Sequence, residues 1–187
     1  MARYIALLRG INVGGSNIIK MADLKAAFER QGFENVVTYI NSGNLLFDSA
    51  LSDEGDLKAA LEERIMADFG LSVMVCVISA ADLREAISHA PEWWNDPPGP
   101  SMRHDAFFVI PPMTAAELFR RVGEVNPEIE KAAHYGRVIF WSAPMATFSR
   151  SRWSKITKNK PLYAAITVRN ANTARKLAEL AGEGSNE

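Results

Sequence analysis

VVTYINSGNLLFD, residues 36–48, consists of two short β-prone runs on either side of Ser42-Gly43. A glycine between two such runs signals a hairpin, because it supplies the positive φ that a tight turn needs. On the N-terminal side, RYIALLRG (3–10) is an apolar run ended by glycine, the pattern of a buried strand. KMADLKAAFERQGF follows, with Met21, Leu24, Ala27 and Phe28 at helical spacing and Gly32 placed to cap the helix C-terminus. On the C-terminal side, residues 53–69 place Leu57, Leu61 and Ile65 on one helix face, and LSVMVCVIS (71–79) is an apolar strand. The order βαββαβ predicts a ferredoxin-like unit over 1–79.

Residues 80–102 form a connection: a short helix in SAADLREAISHA, then the proline-rich PEWWNDPPGP, which marks a domain boundary. Trp93-Trp94 there either plug a seam or offer a stacking surface. From 103 to 187 the pattern recurs. RHDAFFVIP is a strand and TAAELFRRVGE a helix with Thr114 as N-cap, and IEKAAHYGRVIFWS is two strands about Tyr135-Gly136. FSRSRWSKITKN and RNANTARKLAELAG read as helices joined by an apolar link, PLYAAITV, so the last strand of this half is left open. The predicted class is α+β, with two ferredoxin-like lobes of which the second is modified by extra C-terminal helices. The halves share a pattern of elements and no sequence repeat. Val73 to Ile78 is apolar on both faces yet falls on an edge strand, which predicts closely packed lobes.

With 187 residues, 48% of them hydrophobic, the chain has material for a real core. The single cysteine, Cys76, excludes an internal disulfide and a multi-thiolate metal site, and fits a reducing cytoplasmic compartment. MARYIALLRGIN lacks the pattern of a signal peptide, and no stretch approaches the roughly 20 apolar residues of a membrane span, so no membrane partner is expected. The net charge of −1 conceals an asymmetry. Residues 1–130 hold 11 Lys and Arg against 19 Asp and Glu, whereas 131–178 hold ten basic residues and no acid.

RGINVGGSN (9–17) lies between a strand and a helix, where phosphate loops sit. It has neither the Gly-Lys-Ser/Thr of a P-loop nor the spacing of a dinucleotide fingerprint. Gly14 and Gly15 therefore either make a sharp turn or, with Arg9 and Asn12, hold an anion. Strands 1 and 2 run in one direction, which places Arg9 and Asn12 near the turn residues Asn41, Ser42 and Asn44 at one edge of the sheet.

RGINVGG, KMADL, TYINSGNLLF, SRSRWSK and TVRNANTARKL, in that order, resemble the bacterial "domain of unknown function 1697" family. The resemblance runs from Tyr4 to about Leu180 and implies a two-lobed α+β protein, with no activity attached. The matching residues are Arg9, Gly10, Asn12, Gly14, Gly15, Ser42, Gly43, Asn44, Ser149, Lys155, Arg169, Asn170, Asn172 and Thr173. They serve a shared site or a shared fold requirement.

SRSRWSKITKNK (149–160) carries Arg150, Arg152, Lys155, Lys158 and Lys160 without an acid. As a helix over 147–158 it sets Arg152 and Lys155 on one face, with Phe148 and Trp153 as anchors elsewhere. Such a ridge is a solvated face or an anion site, and ordinary solvated helices mix both signs of charge. Arg169 to Thr173 opens a helix, as a simple cap or with its free amides toward an anion. Catalytic patterns are absent: Cys76 lies in an apolar strand, and His89, His104 and His134 lack metal-ligand spacing, so neither metal nor cofactor is expected.

Three functions follow from these features. One is a binding protein for a phosphate-bearing ligand, nucleic acid included, held by the basic lobe. A second is an enzyme acting on a small anion between the lobes, with Arg9, Asn12, Ser42 and Asn44 meeting Ser149 and Lys155. The third is a structural pairing of the acidic and basic portions, within the chain or between subunits.

Overall fold

Local turn chemistry sets most of the element boundaries in the computed structural model, which describes residues 1–95 and 99–183. Part of the predicted proline-rich connection (96–98) and residues 184–187 lie outside the described residues. Contacts divide the chain into two compact units, one of Met1–Arg84 with Leu177 onward, the other of Glu85–Lys176.

The first unit begins with strand β1 (Ala2–Leu8), helix α1 (Met21–Arg30) and strand β2 (Glu34–Tyr39). Strand β3 (Asn44–Ser49), helix α2 (Glu54–Phe69) and strand β4 (Val75–Ser79) follow. Gly32, at φ +88°, follows α1, and its N–H donates to Glu29 O. Asp53 caps α2 by accepting from the Asp56 N–H at 2.9 Å, and Gly70 closes that helix in the left-handed region. The sheet order is β2-β3-β1-β4 with every neighbouring pair antiparallel, which is the ferredoxin-like arrangement. Its core stacks Phe28, Phe33 and Phe47 with Leu24, Leu57, Leu61 and Ile65 from the two helices. Cys76 is buried in β4 and is in no disulfide.

Helices α3 (Ala80–Ser88) and α4 (Glu92–Asn95) connect to the second unit. That unit holds strand β5 (Met102–Val109), helix α5 (Ala115–Val122), and strands β6 (Lys131–Tyr135), β7 (Val138–Pro144) and β8 (Ile166–Asn170), with the short helix α6 (Lys160–Ala164) between β7 and β8. Helix α7 (Ala171–Glu183) closes the described chain. Thr114 caps α5 as expected, accepting from the Glu117 N–H at 3.2 Å. The order β6-β7-β5-β8 repeats the ferredoxin-like arrangement with antiparallel neighbours throughout.

Two expectations are corrected here. PLYAAITV is no simple link: it contributes α6 and then β8, the strand left open in the sequence, paired with β5 from Val109↔Ile166 to Asp105↔Asn170. Ile166 and Thr167 are both buried, so the run shows no period-two alternation. The stretch 147–158 is not an α-helix either. It forms two 3-10 helices, Phe148–Arg150 and Trp153–Lys158, closed by i→i+3 bonds such as Lys155 N–H to Arg152 O at 3.1 Å. The Ser154 hydroxyl donates to Phe148 O and Ser151 O, giving the backbone a local alternative to α-helical pairing. The second unit thus replaces the 16-residue α2 of the first with a tighter, basic crossover. Among the described residues no helix is long and apolar enough to cross a membrane.

Candidate functional site

In the first unit the two predicted loops do meet, and they meet through backbone. The Asn12 amide donates to Asn41 O at 2.8 Å and to Ile19 O at 2.9 Å, while its oxygen accepts from the Ile19 N–H at 2.9 Å. The residue sits at φ +54°, a conformation asparagine tolerates. Asn44 is fully buried and donates to Tyr39 O and to the Ser42 hydroxyl, both at 3.0 Å. Gly14 and Gly15, at φ +60° and +78°, make the turn of a two-residue bridge from Val13 to Ser16. Arg9 is half-buried, its Nη1 3.7 Å from Met74 Sδ. The side-chain bonds of Asn12 and Asn44 are directed inward at neighbouring backbone, so they build the turns. Replacing Asn12 with alanine is expected to cost about 2–3 kcal/mol, read as a lower urea midpoint at unchanged slope, because three hydrogen bonds disappear together, two that close its own loop on Ile19 and one that ties it to Asn41.

The residues of the second unit separate into two groups. Arg169 lies in β8, not in a helix, and is buried, with Nη1 donating to Val168 O at 2.8 Å and the Thr167 hydroxyl at 3.1 Å. Asn170 caps α7 by accepting from the Thr173 N–H at 2.8 Å, Thr173 is buried, and Asn172 accepts from Arg175 at 3.1 Å. Arg175 stacks over the Trp94 ring at 4.6 Å, and burial pushes its guanidinium pKa down. These contacts fasten α7 and α4.

Ser149, Arg150, Arg152, Lys155 and Lys158 are all exposed. A 3-10 helix turns once in three residues, so residues three apart eclipse each other. WSKITK obeys that period: Trp153 and Ile156 form one column and are buried, Ser154 and Thr157 a second, and Arg152, Lys155 and Lys158 the third. The basic column has a charge every 6 Å or so along its axis, from three residues at about 2 Å rise each. Trp153 anchors it, packing on Phe107 at 5.3 Å and Phe119 at 5.1 Å between centroids.

Glu130, the last acid before the basic half, holds the start of this column. Its carboxylate is 2% exposed and accepts from the Trp141 indole N–H at 2.7 Å, the Arg152 N–H at 2.6 Å and the Trp153 N–H at 3.2 Å. A carboxylate thus fills the positive N-terminal end of the second 3-10 helix. Two basic side chains have weak backbone partners: Arg152 Nη1 to Val122 O and Lys155 Nζ to Arg150 O, each 3.4 Å. Among the described residues, Arg150, Arg152, Lys155, Lys158 and Lys160 form no ion pair with a carboxylate of their own unit.

The second unit also has a half-open cavity of about 300 Å³ where β5 begins and β7 ends, with Trp93, Met102, His104, Ile129, Lys131 and Ser142 among its lining. The Ser142 hydroxyl is hydrogen-bonded to His104 Nδ1. These residues stand 38 positions apart and meet because β5 and β7 pair in the register His104↔Ser142, which residue spacing along the chain does not disclose. The other histidines pack on rings: His89 stacks on Tyr135 at 4.0 Å and His134 lies against Phe119. The Tyr135 hydroxyl bonds Glu85, and that bond raises its pKa. Burial pushes the Asp105 carboxyl up, opposed by Arg103 at 2.7 Å. Among the described residues no group of His, Cys, Asp and Glu is arranged to hold a metal.

Two ferredoxin-like units, the second with a basic crossover, define the class of protein. The chain belongs to the family described as "Protein of unknown function (DUF1697)", which matches residues 1–140. Among solved structures it is similar to the conserved bacterial protein SP0830 from Streptococcus pneumoniae, at 29% identity and a TM-score of 0.81, over 96% of this chain and 98% of that one. No curated protein matches.

Proposed function

We propose that the protein binds a phosphate-bearing ligand along the column Arg152, Lys155 and Lys158. The observation that carries this reading is the strict three-residue period of the second 3-10 helix, which sorts its side chains into a buried face and a face of three cations. Like charges about 6 Å apart repel by roughly 0.7 kcal/mol per pair in water before screening. An ordinary surface interleaves acids to relieve that repulsion, and a polyanion relieves it on binding. Glu130 supports the reading by fixing the backbone where the column starts, so little ordering remains to be done when the ligand arrives. A reading through base stacking on the sheet is disfavoured by β3: its NLLFDS has one aromatic residue, Phe47, and that ring is in the core.

The test is anisotropy of labelled single-stranded RNA, double-stranded RNA and DNA over a salt series, with pyrophosphate as competitor. Wild type is compared with the Arg152→Ala/Lys155→Ala/Lys158→Ala variant. Three phosphate contacts on a single strand give a slope of log K against log[salt] near −2, from about −0.7 per phosphate. The triple variant is expected to lose that slope and at least tenfold in affinity. Pyrophosphate binding seen by titration calorimetry, without measurable binding of the labelled nucleic acids, would assign the column to small phosphates. No binding of any of these at low salt refutes the proposal.

A further inference from the structure

The sheet face that carries His104 and Ser142 is otherwise apolar where β5 and β7 pair, with Ala106 opposite Phe140 and Phe108 opposite Val138. At its cavity end the pairing changes to imidazole against hydroxyl, with His104 6% and Ser142 2% exposed. Across the next ladder Ser142 is the register partner of Lys131, so the three side chains form one row on one face. Partners in such a row lie about 4.5–5.5 Å apart at Cβ. The row opens into the cavity of about 300 Å³, at the small end of the range for ligand sites, with Trp93, Met102 and Ile129 as apolar wall and Glu128 and Glu130 as the carboxylates on its lining beside Lys131.

We infer that this cavity is an acyl-transfer site, in which Ser142 is the nucleophile and His104 its general base, and that its substrate is an ester of a small carboxylic acid. In the tautomer protonated on Nε2, the Nδ1 lone pair of His104 takes the Ser142 proton as Oγ bonds to the acyl carbon. The resulting oxyanion forms in reach of the Lys131 ammonium. Collapse of the adduct breaks the bond from the acyl carbon to the alcohol oxygen, and that oxygen takes the proton from Nδ1. Water, deprotonated by the same nitrogen, then attacks the acyl-serine, releasing the carboxylic acid and returning the proton to Oγ. Ser142, His104 and Lys131 do not belong to the basic column, but Glu130, which anchors that column, also lines the cavity, so variants at Ser142 and His104, which leave Glu130 in place, test this site apart from the proposed phosphate site.

A fluorophosphonate probe tests the inference, because it reports a reactive serine without knowledge of the substrate. Intact mass and peptide mapping are expected to show one adduct, on Ser142. Its rate should rise with pH and then level off, as expected when a general base must be neutral to act. His104→Gln should slow labelling at least a hundredfold and remove that pH dependence, whereas a purely structural histidine would leave both unchanged in folded protein. Ser142→Ala should take no adduct while keeping the urea midpoint within reach of wild type. If it does not fold, Ser142→Cys replaces it, with iodoacetamide alkylation of that thiol dependent on His104. Wild type that takes no adduct, an adduct that survives in Ser142→Ala, or labelling unchanged in folded His104→Gln would each overturn the assignment.

Discussion

Glu130→Ala is expected to lower the unfolding free energy by at least about 3 kcal/mol, a large part of the 5–15 kcal/mol usual for a domain. The deletion orphans three donors at a site with 2% exposure: the Trp141 indole and the backbone N–H groups of Arg152 and Trp153. An unsatisfied buried donor costs about 1–3 kcal/mol. Water entering the space left by the side chain recovers part of that for Arg152, the most exposed of the three. Glu130→Gln removes less, about 1–3 kcal/mol, since one oxygen still accepts while the new amide N–H₂ faces a donor. Both numbers come from urea unfolding followed by tryptophan fluorescence, to which Trp141 and Trp153 contribute from within the disturbed region. The Gln variant, still folded, should also bind phosphate ligands less tightly, because the anchor of the basic column is weakened while its charges are untouched. A loss below about 1 kcal/mol for the alanine variant would mean that the carboxylate is hydrated and does not hold the crossover.

The parts of the fold legible from sequence are those set by neighbours within four residues. Gly32, Asp53 and Thr114 mark helix ends through caps that involve residues one turn away, and the Ser42-Gly43 turn follows from the same local chemistry. The parts that escaped depend on partners elsewhere. β8 is buried at both Ile166 and Thr167, because β5 takes it as a neighbour, and so it carries no alternation to read. The basic stretch does carry a pattern, but its period is three, and read at 3.6 it merges into an α-helix. Read at three, Trp153 and Ile156 fall in line and the cationic column separates cleanly. In the candidate sites, Asn12 and Asn44 look like ligand residues in a list of letters, yet their amides donate to the backbone carbonyls of Ile19, Asn41 and Tyr39. His104 and Ser142 look like nothing until the register of β5 against β7 is known.

Gly43→Ala is expected to cost about 2–5 kcal/mol, more than the same change at Gly14 or Gly15, and the contrast separates two causes. All three residues hold positive φ, +77°, +60° and +78°, so each alanine carries the left-handed penalty of about 1–2 kcal/mol. At Gly14 and Gly15 a Cβ meets nothing within 4 Å, and the penalty ends there. At Gly43 the Cβ falls 2.8 Å from both Leu8 Cβ and Ile11 Cδ1. Carbon atoms prefer 3.5–4.0 Å. Ile11 can turn its end away, but Leu8 Cβ is rigidly joined to β1, whose Leu8 N–H donates to Gly43 O at 2.8 Å. Relief therefore means moving the hairpin away from β1 and breaking that bond, the kind of overpacking that costs a further 1–3 kcal/mol or so. Parallel urea titrations of the three alanine variants measure the difference. Equal losses at Gly43 and Gly14 would show that backbone conformation alone selects glycine in NSGN. A larger loss at Gly43 by about 2 kcal/mol assigns the excess to the close approach of the β2–β3 turn to the end of β1, the same approach that lets Asn12 reach Asn41.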